Sequence, residues 1–167
     1  VERTLTESPL SNHGISEYAE RVGRHHGIYS NEGQADVTRL VEVLGGRVDV
    51  SESFFAQEAL TVHGQGDFLV HLPPMTSNRR DRFTIAHELG HYFLHYLQPG
   101  MTTPKSFWRG ESNRGETQAN VFAASLLMPE DFFKAAFSRC GRDWWALSQI
   151  FGVSPRAAEV RAQVLGL

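Results

Sequence analysis

The stretch RFTIAHELGHYFLH, Arg82 to His95, decides how this chain is read. Phe83, Ile85, Ala86, Leu89, Phe93 and Leu94 give it the apolar body of one helix, which carries three histidines and one glutamate. His87 and His91 stand four apart. On an α-helix that spacing is a ~6 Å rise and a ~40° rotation, so both imidazoles leave one face and can converge on one cation. Glu88 is turned about 100° from His87, beside the pair. From there a carboxylate reaches a water held by the cation without binding the cation, as general-base hydrolysis requires. With 8 histidines in 167 residues, an accidental His-Glu-x-x-His has a probability of about 3%, so a chance motif is a poor account. Gly90 weakens its helix by about 1 kcal/mol relative to alanine, which implies a close neighbour that needs the space.

His95 continues the stripe but lies too far along it. A cation midway between His87 and His91 sits ~9 Å from it, against a histidine's reach of ~6 Å. Another element has to supply the third ligand, and the candidate is GETQANVFAASLLMP, residues 115–129. Glu116 near the start of that helix leaves its carboxylate free to project, and Asn120, one turn on, shares its side. An asparagine there accepts a ring N–H from a ligand histidine and fixes its tautomer. The plainer role for Glu116, a favourable charge at a helix N-terminus, is worth only a few tenths of a kcal/mol. Two histidines, one carboxylate and an open position make the ligand count of hydrolytic zinc sites. Zinc leads by affinity order, and manganese is compatible with the same set. His95 and Tyr92 are candidates for steadying a ligand or meeting a substrate. Tyr92, His95 and Arg109 are the candidates for stabilising an oxyanion.

Around this motif the pattern is that of one α+β domain. Residues 1–14 form a polar N-terminal tail, 15–140 the main domain, and 141–167 a C-terminal helical extension. A helix is expected over 15–26, and a short one opens at Asp36 and stops at Gly45-Gly46. Residues 47–50 alternate as a strand, and 59–63 with 67–72 flank Gly64-Gln65-Gly66 as a hairpin. Pro73-Pro74 ends the second strand. Ser77 or Asn78 caps the active helix, which runs to Leu97. Residues 98–113 read as a long loop of the kind that covers active sites. Helices follow over 116–127, after Pro129, and over 143–151 and 155–165, the last two around a Gly152-Val153-Ser154 turn. The strand 67–72 is expected to offer an exposed edge to an extended peptide.

A net charge of −3 gives no global pull toward nucleic acid or membrane. Lone Cys140 forbids an internal disulfide and fits a reducing compartment. No signal pattern and no membrane-spanning run is present, so a cytoplasmic protein is expected.

With its motifs in view, the chain resembles the ImmA/IrrE family of bacterial and phage metallopeptidases. The matching blocks are RFTIAHELGHYFLH (82–95), ETQANVFAASLLMP (116–129) and the tail LSQIFGVSPRAAEVRAQVLGL (147–167). The length fits the short, ImmA-like form. The resemblance implies a zincin-like fold, a small, mostly antiparallel sheet beside the active helix, with the metal held by His87, His91 and Glu116. It also implies a substrate, a helix-turn-helix repressor of the XRE family, cut to lift repression in stress or prophage induction. The competing readings are a non-proteolytic metal-binding regulator and a DNA- or protein-binding module using the helix-turn-helix-like tail. There Arg156 and Arg161 are the phosphate candidates, although Glu159 lies between them and the helix is not otherwise basic, which favours packing over DNA contact.

Overall fold

Small polar side chains open most of the helices. In the computed structural model, which describes residues 5–110 and 113–167, Ser11, Asp36 and Ser77 each accept the backbone N–H three residues on. They start α1 (Asn12–His25), α2 (Val37–Val43) and α3 (Asn78–His91), satisfying donors that a helix start leaves unpaired. Asn113, Asp143 and Ser154 do the same for α4 (Arg114–Leu127), α6 (Trp144–Phe151) and α7 (Pro155–Val164). Pro129 precedes α5 (Glu130–Cys140). Among the described residues no helix is long and apolar enough to cross a membrane.

Four strands form one sheet: β1 (Gly46–Val50), β2 (Glu58–Gly64), β3 (Asp67–Leu72) and β4 (Lys105–Trp108). Their order is β1-β3-β2-β4. β1 runs parallel to β3, and the other two pairings are antiparallel. The mixed α+β architecture is thus as read, with two corrections. β4 lies inside the stretch expected to be loop; four residues are too few to establish a period. Residues 111–112 of that loop, and 1–4 of the expected tail, lie outside the described residues. The second correction concerns β3. It is interior, flanked by β1 and β2, and the sheet's edges are β1 and β4.

Alternation along β3 buries Phe68, Val70 and Leu72 on one face, and Leu60, Val62 and Phe107 are buried beside them. Each such side chain contributes about 1.5–3 kcal/mol. α3 packs under the sheet and continues as a π-helical turn, Tyr92–Leu97, where an uninterrupted α-helix was expected. Phe68 stacks on Tyr92 with ring centroids 4.2 Å apart. α4 packs against both α3 and α1. At its crossing with α3, a Cβ on Gly90 would come within 3.0 Å of Ala119 Cα and 3.1 Å of its carbonyl oxygen. The space inferred from Gly90 is taken up by the α4 backbone.

Both ends of the described chain are tied to this body. Ser8 is buried, its N–H donating to Gln118 Oε1 and its hydroxyl to Gln98 Oε1. At the other end, Gly152 at φ +64° closes α6, a conformation that glycine adopts at no steric cost. The Arg82 guanidinium, on α3, donates to the Gly152 and Phe151 carbonyls. Arg161, a phosphate candidate only in the competing DNA-binding reading, is 4% exposed, with Nε donating to the Met128 carbonyl at 2.9 Å, the packing role that the sequence favoured.

Candidate metal centre

α3 presents His87 and His91 one turn apart, and the close crossing at Gly90 brings the first turn of α4 to them. Glu116 Oε2 lies 3.0 Å from His87 Nε2, and Oε1 lies 2.9 Å from His91 Nε2. The three ligand atoms fall within 4.8 Å of one another. Among the described residues no fourth His, Cys, Asp or Glu joins them. His91 is 2% exposed, whereas His87 and Glu116 are 15% and 19% exposed, so the cluster is buried on one flank and open on the other.

The hydrogen bonds around the cluster fit a cation. Asn120 Oδ1 accepts from His87 Nδ1 at 2.8 Å. A neutral ring that donates from Nδ1 turns its Nε2 lone pair toward the Glu116 carboxylate. Two acceptors then face each other at 3.0 Å, an arrangement stabilised only by a cation or an extra proton between them. Without a metal, the proton plays that part. Burial opposes a charged His87, but the Glu116 hydrogen bond and the neighbouring carboxylates outweigh it and raise the His87 pKa. Burial likewise works to raise Glu116, and the two histidines overcome it, holding Glu116 down to about 2.

Glu88 is 4% exposed, and its Oε2 is a buried oxygen with no hydrogen-bond partner. Burial pushes its carboxyl up, against the pull of His91 and His87 and, more weakly, Arg109. Arg109 is the first residue after β4; its guanidinium donates to the His71 carbonyl, and its main-chain N–H to Gln57 O at 2.6 Å.

His95 is fully buried, with Nδ1 2.8 Å from His91 Nδ1 and Nε2 2.9 Å from Gln118 Oε1. Burial is the main cause that lowers its pKa to about 4. His87, His91, Glu116, Asn120 and His95 therefore come together, with Glu88 beside them. Tyr92 does not join them: its hydroxyl accepts the Gly66 N–H at the β2–β3 turn, 2.9 Å away.

Two contributors had no signal in the primary structure. Gln118 meets His95 from α4, and Phe107 of β4 stacks on His91 with ring centroids 5.1 Å apart. The aromatic pair Phe107-Trp108 was the one hint of a strand there.

Comparison with known proteins agrees with this architecture. The family model described as Peptidase_M78, IrrE N-terminal-like domain, matches residues 48–163. Among solved structures, a Mycobacterium tuberculosis transcriptional regulator is similar, with a TM-score of 0.59 and 17% identity. The likeness covers 87% of this chain and 45% of that one, so the chain spans less than half of that regulator's length. At this identity the likeness speaks for the fold alone. No curated protein matches the sequence.

Proposed function

We propose, on the premise that this chain belongs to the Peptidase_M78 (IrrE N-terminal-like) family, that it is a zinc-dependent endopeptidase of zincin-like fold. In this reading His87, His91 and Glu116 hold the ion, and the substrate is an XRE-family helix-turn-helix repressor. The observation that carries the catalytic part is the unpartnered buried Oε2 of Glu88 beside three convergent ligand atoms. A fold gains no stability from an unpaired buried oxygen, which costs about 1–3 kcal/mol.

Bound zinc supplies Lewis acidity, making a water acidic enough to lose its proton near neutral pH and polarising a carbonyl. Glu88 moves the proton. As carboxylate it takes a proton from the attacking water while oxygen bonds to the scissile carbon. The resulting carboxylic acid, favoured by burial, gives that proton to the amine nitrogen as the C–N bond breaks. Asn120 holds the His87 ring at Nδ1. Of the three oxyanion candidates, Tyr92 is engaged at the β2–β3 turn and His95 is sealed between His91 and Gln118. Arg109 remains, its charge acting on Glu88, and we assign it that role. Strand addition by an extended substrate moves from β3 to the edge strand β4, whose Phe107 lies on His91. A peptide-bound structure with the chain elsewhere removes that docking mode. We keep residues 15–140 as the peptidase unit, with 141–167 packed on it through Arg82 and Arg161.

The test is to count zinc per chain and incubate the protein with a co-encoded XRE-family repressor. Glu88→Gln is expected to keep the metal and lose cleavage by about 10²–10⁴-fold, and Arg109→Met by about 10²–10³-fold. Undiminished cleavage by Glu88→Gln removes the general base, and with it this mechanism.

A further inference from the structure

We propose that Gln118 and the backbone of Ser8 decide which nitrogen of His91 is free to bind a metal, acting through His95 as a positioning relay. The inference rests on the metal site proposed above, and it begins from a part of the molecule whose polarity cannot be reversed. The orientation of a glutamine amide follows from its partners, and here both partners are main chain. Ser8 N–H donates to Gln118 Oε1 at 3.0 Å, and Gln118 Nε2 donates to the Ser8 carbonyl at 2.9 Å. Flipping the amide would set donor against donor and acceptor against acceptor in a buried place. Gln118 Oε1 is therefore an acceptor.

From there the chain of consequences has one solution. His95 Nε2, 2.9 Å from that oxygen, must be the donor. A fully buried imidazole is favoured neutral, and a neutral ring with its proton on Nε2 has a bare Nδ1. That bare nitrogen faces His91 Nδ1 at 2.8 Å, so the proton between the two rings belongs to His91. With Nδ1 of His91 committed as donor, its Nε2 is the nitrogen left to bind a metal, and it is the atom that meets Glu116 at 2.9 Å. The opposite tautomer of His95 would place two N–H groups against each other, or give His91 a proton on its ligand nitrogen.

One helix thus sets up both ligand histidines. α4 supplies the carboxylate from Glu116, fixes His87 directly through Asn120, and fixes His91 indirectly through Gln118 and His95. Ser8 is held in turn by its hydroxyl bond to Gln98 at 2.6 Å, so it contributes to metal binding through the relay.

The experiment uses the full chain with ¹⁵N-labelled histidine, read by NMR without metal and with Zn²⁺. In both states His95 is expected to carry its proton on Nε2 and none on Nδ1, with a ¹⁵N–¹⁵N coupling across the bond joining the two Nδ1 atoms. A proton on His95 Nδ1 overturns the relay. Gln118→Leu, titrated with Zn²⁺ against a chromophoric chelator, is expected to bind 10- to 100-fold more weakly and to show a mixture of His95 tautomers. Unchanged affinity, or weaker binding with the His95 tautomer intact, overturns it, since the second result is a packing loss alone. If Gln118→Leu does not fold, the wild-type spectrum decides. If the wild-type chain takes up no zinc, the metal reading fails, and the zinc-free spectrum still decides how the rings are protonated.

Discussion

Burying His95 ties the stability of the metal-free protein to pH in a direction that can be worked out. Its ring takes up a proton near pH 6.5 when exposed and near 4 in the fold, chiefly because it is buried. Between those values the unfolded chain binds more protons, so the His95 contribution falls as the pH falls from 6.5 to 4. The whole effect is roughly 3 kcal/mol. His95→Asn is expected to flatten that part of the curve, measured by urea unfolding in chelator between pH 4 and 6.5. Equal slopes for the two proteins contradict a neutral buried ring. At this scale the sequence was most legible where spacing along one helix decides geometry. His87 and His91 share a face by the arithmetic of 3.6 residues per turn, and Glu88 stands beside them for the same reason. The distance argument that left His95 outside the ligand triad depends on helical rise alone. Its partner Gln118 had no such signature, because the two residues lie 23 positions apart on different helices.

The crossing of α3 and α4 is the element-scale event on which the cluster depends. Gly90→Ala adds a methyl 3.0–3.1 Å from the Ala119 backbone and from Phe122 Cβ, where most of what must yield is main chain. Overpacking of that kind costs about 1–3 kcal/mol, offset by about 1 kcal/mol of helix propensity. The expected result is a lower urea midpoint together with weaker zinc binding, because Glu116 and the histidines ride on opposite sides of the crossing. A lower midpoint with zinc affinity unchanged means that something else sets the ligand distances. Boundaries were legible where a cap is chemically distinctive, as at Asp36 and Ser77. They were not legible where helix geometry changes without a breaker. Nothing in YFLHYL signals that Tyr92–Leu97 winds as a π-helical turn, a form frequent at functional sites. β4 was hidden because its pairing partner β2 lies more than 40 residues earlier.

Across the whole molecule, the C-terminal extension is part of the packed body. Arg161 joins α7 to the end of α4 through the Met128 carbonyl and approaches Glu20 of α1 at 3.5 Å. Arg156 is paired with Glu159 at 2.8 Å. Arg161 is buried and committed to the Met128 carbonyl, so of the two only the exposed Arg156 could meet a phosphate, which weakens the DNA-binding reading. Arg161→Met is expected to lower stability by about 1–3 kcal/mol, since it leaves the buried Met128 carbonyl without that donor, whereas Glu20 keeps the Glu130 N–H at 2.6 Å. Salt-dependent DNA binding that is lost in this variant, while the protein stays folded, contradicts the packing role. What the amino-acid sequence determined alone was local: two imidazoles and a carboxylate on adjoining faces of one helix, a candidate carboxylate and asparagine one turn apart on another, and the capped helix starts. These follow from periods and side-chain chemistry within a few residues, which any isolated segment already carries. The tertiary structure decided the rest: which strand became an edge, where Arg161 went, and how Ser8 and Gln118 came to govern His91. Those outcomes depend on how separately specified elements fill shared space and satisfy each other's buried donors and acceptors, which no single segment contains.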